Sequence, residues 1–259
     1  MAGRGYSFDL SGRTALVTGA SSGLGKHFAR ALAASGANVV LAARRTSMLD
    51  AVKTEIETTG GRAITVTMDV ADEASTIAAY DVAEDAFGAV DSVVANAGMA
   101  LPGSALGIAI EDFDSIVAVN LRGVFLTARE GARRMVAAGA PERKHGRIVI
   151  ISSITAHYVA PGQVPYSATK AAVTQMGRTM ARDWATKGVN VNMIAPGYMR
   201  TELTDDFLDM DHGKALLASF PRARTMDIDV LDPTLLYLCS DASAQVTGSV
   251  FAIDDGQTL

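Results

Sequence analysis

Short apolar, β-branched runs alternate with longer amphipathic stretches along the whole chain, and this rhythm restricts the possible folds more than any other feature. "TALVTG" (14–19), "NVVLAA" (38–43), "AITVTM" (63–68), "VDSVVAN" (90–96), "RIVIIS" (147–152), "VNVNMI" (189–194) and "SVFAID" (249–254) read as seven strands. Most are continuously apolar, the pattern of strands covered on both faces. Helical periodicity fills 23–35, 47–58, 73–86, 111–138, 166–187 and 231–239. Strand then helix, repeated, predicts right-handed crossover units and an α/β, doubly wound parallel sheet of seven strands flanked by helices on both faces. With 49% apolar residues and no linker or low-complexity tract, the 259 residues read as one domain, 1–259. Only 198–230 breaks the rhythm. That segment follows the sixth strand at its carboxyl end, where such sheets bind ligands, and is read as a lid over a pocket.

The first strand runs into "TGASSGLGKHFARAL", which puts Gly19, Gly23 and Gly25 in a strand-to-helix turn. Glycines there let a pyrophosphate approach the backbone, and the helix amino end adds free N–H groups and partial positive charge. A tight turn alone would also use glycines. Placed after a first strand and opening a helix, the triplet points to a dinucleotide and a Rossmann-type domain. The second strand ends in "LAARRTS", where Arg44 and Arg45 stand without a carboxylate. An acid would bind the adenosine 2′-hydroxyl, whereas guanidinium groups suit a 2′-phosphate, so NADP(H) is expected over NAD(H). A solvated helix start is the plainer account of the two arginines.

In "VPYSATKAAV", Pro165 suits the first turn of a helix, which puts Tyr166 near its positive end and Lys170 on the same face one turn on. Bringing a phenol from a pKa of about 10 to about 7 needs roughly 4 kcal/mol. An ammonium at about 4 Å supplies energy of that order at an effective dielectric of about 20. The pair is therefore expected to work as an acid/base if shielded from water.

These motifs, in this order, resemble the short-chain dehydrogenase/reductase family over nearly the whole chain, in its NADP-preferring alcohol dehydrogenase and ketone reductase type. "TGASSGLG" resembles its cofactor turn (Gly19, Ser21, Ser22, Gly23, Leu24, Gly25), and "MDV" its adenine-binding acid, Asp69, with Val70. "ANAG" resembles the family's Asn-Asn-Ala-Gly, with Ala95 for the first asparagine and Asn96, Ala97 and Gly98 retained. "APGYMRT" resembles the nicotinamide clamp, through Pro196, Gly197, Met199 and Thr201. "VNLRG", "IISS" and "YSATK" supply Asn120, Ser153, Tyr166 and Lys170 as the implied catalytic set. The resemblance implies that Tyr166 protonates a carbonyl oxygen, Ser153 polarises it, Lys170 binds the nicotinamide ribose and lowers the tyrosine pKa, and Asn120 holds a relay water. Tyr166 and Lys170 thus also touch cofactor. It implies a substrate wall at Ser153, His157, Tyr158 and Tyr166, with Tyr198, Leu203 and Phe207 from the lid, and a homotetramer.

The chain departs from the family pattern at Asp255, where a glycine is usual, and this is expected to affect the last strand and subunit packing while leaving the chemistry alone. The implied activity is reduction of a secondary, bulky or aromatic ketone and its reverse. A 3-oxoacyl carrier-protein reductase is the alternative, with Arg129, Arg133, Arg134, Arg143 and Lys144 as a docking surface. A non-catalytic NADP-sensing protein is another, and it should lack one of the catalytic side chains.

A net charge of −5 argues against nucleic acid, and no run approaches a membrane span. One cysteine, Cys239, excludes an internal disulfide and suits a reducing compartment. The opening "MAGRGYSFDLSGR" has no apolar signal core, so a cytoplasmic protein acting on a small molecule is expected. Four histidines and one cysteine are too dispersed for a catalytic metal.

Overall fold

Seven parallel strands form one sheet in the order β3-β2-β1-β4-β5-β6-β7. They are β1 (Thr14–Thr18), β2 (Asn38–Ala43), β3 (Arg62–Thr67), β4 (Ser92–Ala95), β5 (Gly146–Ile151), β6 (Val189–Pro196) and β7 (Val250–Ile253). This is a computed structural model, and it describes residues 8–101 and 103–259. Of the opening stretch 1–13 read for a signal core, residues 1–7 lie outside the described residues.

Continuous apolar runs follow from burial on both sides. Successive strand residues point to opposite faces. Accordingly Val17, Leu41, Val94, Val149 and Ile194 enter one core, and Leu16, Val40, Val93, Ile148 and Met193 the other. The first core is closed by Phe28 and Leu32 of α1 (Gly23–Ala34), Leu49 and Ile56 of α2 (Thr46–Thr58), and Leu235 and Leu238 near the C-terminus. The second is closed by Tyr80 of α3 (Glu73–Phe87), then by Ala128 and Met135, and by Val173 and Met180. Asp72 caps α3 by accepting from the Ala74 and Ser75 amides, at 2.7 and 3.1 Å. Among the described residues no helix is long and apolar enough to cross a membrane.

The stretch 111–138 is not one helix as its periodicity predicts. It comprises α4 (Ile110–Val117), a π-helical turn at Ala118–Gly123, and α5 (Val124–Ala137). Such bulges shift the facing of a helix and cluster at functional sites; this one carries Asn120 into the interior, with no exposed surface. After the short α6 (Ala140–Arg143), α7 runs from Val164 to Trp184 and begins with Pro165 in its first turn.

Between β6 and β7 the chain forms α8 (Asp205–Asp209), α9 (Asp211–Ser219) and α10 (Asp232–Cys239). The segment 198–230 builds a third apolar cluster of Ile154, Tyr198, Leu208 and Phe220, bordered by Tyr158, Phe207, Leu216 and Leu217. Tyr198 stacks on Phe207 at 6.2 Å between ring centroids.

The residues after β7 bind both ends of this segment. Gln257, buried, accepts from the Tyr198 amide at 2.7 Å and donates to the carbonyls of Tyr198 and Arg224 at 3.2 and 3.3 Å. Gly197 makes room for it, since a Cβ there would lie 2.4 Å from the Gln257 amide oxygen. Asp255, with φ 52°, pairs with Arg222 and Arg224 at 2.7 Å each. The departure at Asp255 therefore has a tertiary partner in the segment after β6. Replacing Gln257 by leucine leaves the buried Tyr198 amide without its partner and strips one bond each from the carbonyls of Tyr198, which keeps the Met226 amide, and Arg224, and is expected to cost about 1–3 kcal/mol of stability. A urea titration measures it, and an unchanged midpoint would show that the amide contacts contribute nothing.

Candidate active site

β1 and β4 are neighbours, yet the chain leaves β1 toward β2 on one side and reaches β4 only after β3. Ligands bind in the crevice at the carboxyl ends of strands where the order reverses in this way. Thr18, the last residue of β1, ties the crevice together. Its hydroxyl accepts from the amides of Asn96 and Ala97, both at 3.0 Å, and its carbonyl accepts from Asn96 Nδ2 at 2.9 Å. Gly25 packs into the same corner. A Cβ there would lie 2.2 Å from the Gly19 carbonyl oxygen and 2.7 Å from Asn96 Nδ2.

A cleft of about 440 Å³ opens above this corner. Every residue expected to hold a dinucleotide, from Gly19 and the turn through Arg44, Arg45, Asp69, Val70 and Asn96–Gly98 to Pro196, Gly197, Met199 and Thr201, lines it. Ser22, the N-cap of α1, makes no side-chain bond to the helix's first amides. Its hydroxyl instead accepts from Arg45 Nη2 at 2.6 Å, which leaves the amino end of α1 to the cleft. Ser21 Oγ lies 3.1 Å from the same nitrogen. Asp69 Oδ1 accepts from the Ala71 amide at 3.0 Å. A bare glycine floor, an uncapped helix end and a guanidinium beside two hydroxyls fit a phosphorylated dinucleotide.

At the other end of the cleft stand Ser153, Tyr166 and Lys170. Ser153 follows β5. Its Oγ accepts from the amide and the hydroxyl of Thr155, at 3.2 and 3.0 Å. With its lone pairs so used, the serine keeps its own proton to donate. It does so toward Tyr166, where the bond favours the phenolate, but burial outweighs it and pushes the phenol up to about 12. Lys170 is 4% exposed, and its ammonium donates to the Ile151 carbonyl at 2.9 Å, 5.5 Å from the Tyr166 ring centroid. Burial brings its pKa down to about 8. The tyrosine pKa near 7 expected from the pair's spacing is therefore not a property of the chain alone, because both groups are shielded from water and desolvation dominates.

Asn120 lies behind the cleft wall. Its Oδ1 accepts from the Met99 amide and its Nδ2 donates to the Met99 carbonyl, both at 2.8 Å, with Thr169 Oγ1 at 3.3 Å from Nδ2. The side chain is a clamp on the loop after β4. Of the expected substrate wall, Ser153, Tyr166 and Leu203 line the cleft. Tyr158, Tyr198 and Phe207 belong to the adjoining apolar cluster. His157 is exposed and enters neither. Sequence reasoning missed Thr18, Thr155 and Gln257, which touch site residues through hydroxyl or amide groups common in any chain. It also missed Glu202 and Thr204, which line the cleft inside the segment read as a lid.

The family profile described as short chain dehydrogenase matches residues 13–212. The chain is 35% identical to gluconate 5-dehydrogenase of Gluconobacter oxydans (strain 621H) over 97% of each chain. It is 36% identical to 3-oxoacyl-[acyl-carrier-protein] reductase of Synechocystis sp., over 96% of this chain and 98% of the relative. A crystal structure of a gluconate 5-dehydrogenase from Burkholderia cenocepacia J2315 in complex with NADP and tartrate superposes with a TM-score of 0.90 at 35% identity, covering 97% of each chain. Sequence, fold and site together assign this chain to the short-chain dehydrogenase family, to which it belongs.

Proposed function

We propose that the protein is an NADP(H)-dependent oxidoreductase that interconverts a secondary alcohol and a ketone, with Tyr166 as the general acid/base and residues 1–259 working as one domain. The observation that carries this reading is the convergence of Ser153, Tyr166 and Lys170 at one end of a cleft whose other end is built for a phosphorylated dinucleotide. When bound, the nicotinamide cofactor supplies or takes up the hydride. Tyr166 gives its phenolic proton to the carbonyl oxygen, and the Ser153 hydroxyl, whose proton is directed at Tyr166 in the free protein, turns it to that oxygen when substrate binds. Lys170, anchored on Ile151, presents its remaining N–H donors to the cofactor ribose and stabilises the phenolate left behind. Asn120 keeps the loop after β4 in register with α7. The segment 198–230 acts as the lid.

For the substrate, a bulky or aromatic ketone is supported by Leu203 on the cleft lining and by the apolar cluster of Tyr158, Tyr198, Phe207 and Phe220 beside it. The docking of an acidic carrier protein is less well supported. Arg129 is paired with Glu73, Arg133 with Glu130, and Arg134 with Asp81, Glu84 and Glu130, so most of that basic surface is already neutralised. A non-catalytic sensor is disfavoured because all the acid/base side chains are present. Ile110, Phe113 and Phe125 are exposed apolar residues on α4 and α5, consistent with assembly into a homotetramer.

The test follows NADPH oxidation over small, bulky-aromatic and 3-oxoacyl ketones, with and without carrier protein. Preference for the bulky-aromatic set, unaffected by carrier protein, is expected. Competition by carrier protein would support the reductase of fatty-acid synthesis. The pH profile provides a second expectation. Reduction requires a protonated phenol and a charged lysine, so its kcat/KM should hold at neutral pH and fall as Lys170 loses its proton near about 8. Alcohol oxidation requires a phenolate and should rise with pH toward the Tyr166 value of about 12. Reduction that rises with pH would contradict a tyrosine proton donor.

A further inference from the structure

We propose that Glu202 is a specificity-determining residue that weakens the enzyme's hold on a 2′-phosphate and so moderates its preference for NADP over NAD; the inference rests on the cofactor reading above. The two arginines after β2 are not equivalent. The Arg44 side chain is exposed and has no ion pair or hydrogen bond among the described residues. The Arg45 guanidinium is already occupied. Its Nη2 lies 2.6 Å from Ser22 Oγ, 3.1 Å from Ser21 Oγ and 3.5 Å from Glu202 Oε2.

Glu202 reaches this point from the opposite lip of the cleft, two residues into the segment that follows Arg200, and it lines the same cavity. Asp69 and Glu202 are the two carboxylates in that lining. The Arg45–Glu202 pair therefore crosses the mouth of the cleft from the cofactor side to the lid side. A 2′-phosphate can take the Arg45 fork only by drawing the guanidinium away from Glu202, and it then brings its negative charge close to the freed carboxylate. A 2′-hydroxyl meets neither cost. Glu202 thus acts against the phosphorylated cofactor, while Arg44 and Arg45 act for it. Both partners are half-exposed, at 51% and 59%, so the effect is modest and sensitive to salt.

The experiment is calorimetric titration of 2′,5′-ADP and 5′-AMP into the wild type, Glu202→Gln, Arg45→Ala and the double variant, at low and high salt. Glu202→Gln is expected to bind 2′,5′-ADP about three- to fivefold tighter at low salt, with 5′-AMP unchanged. The gain should shrink at high salt and vanish in the Arg45→Ala background, because the two residues act as a pair. Equal tightening for both nucleotides, no change, or a gain that survives without Arg45 would overturn the role of Glu202. In those cases a wild-type preference for 2′,5′-ADP over 5′-AMP would leave the cofactor reading standing. In those same cases, a wild type that does not distinguish the two nucleotides would overturn both.

Discussion

Replacing Tyr166 with phenylalanine is expected to cut turnover of any ketone by about 10²–10⁴-fold, the usual worth of a positioned acid/base. The NADPH dissociation constant should change little, because only one oxygen is lost. The ring keeps its place in the first turn of α7, where the Thr169 hydroxyl bonds the Tyr166 carbonyl at 2.7 Å through the backbone. Lys170 keeps its bond to Ile151, since that contact does not involve the phenol. Stopped-flow turnover with parallel fluorescence titration of NADPH separates the two effects. A variant within tenfold of wild-type activity would remove Tyr166 from the mechanism and shift attention to Ser153.

An alanine at position 25 is expected to damage the other end of the cleft as severely. Its methyl group would lie 2.2 Å from the Gly19 carbonyl oxygen, a backbone atom that cannot swing aside as a side chain would. Relief requires the turn 19–25 to open, and the nearby Asn96 Nδ2, at 2.7 Å from the same methyl, would be pushed from Thr18. Overpacking of this kind costs about 1–3 kcal/mol of stability. Binding should suffer more, because the moved atoms form the cleft floor itself. The expected result is loss of measurable NADPH binding in calorimetry, with a folded circular dichroism spectrum. Retained binding would mean that the dinucleotide does not approach this turn.

The sheet was legible in the sequence because burial on two faces leaves no polar alternation, and a run such as 147–152 suits little besides a strand covered on both sides. The cleft residues were legible for a related reason: glycine, arginine and the tyrosine–lysine spacing are needed where backbone approach, phosphate charge and helix geometry coincide. What sequence could not reveal depended on distance along the chain or on degree of burial. The π-helical turn at Ala118–Gly123 has the same apolar periodicity as an ordinary helix, so 111–138 read as unbroken. The Tyr166–Lys170 spacing fixed the facing of the two groups, but the sign of their pKa shifts depends on shielding contributed by elements far away in sequence. Gln257 binds Tyr198 across 59 positions, and nothing local marks a glutamine for that task. Asp255 stood out only as a departure from a pattern, and its partners Arg222 and Arg224 became evident in three dimensions.

Those long-range ties bear on how new specificities could be engineered into this scaffold. Grafting residues 198–230 from a relative would import a different wall while stranding its fastenings, since Gln257 and Asp255 would remain matched to the old backbone and the old arginines. The unit of exchange is therefore discontinuous: the graft must travel together with the turn after β7, and a library that varies one without the other samples mostly unanchored segments.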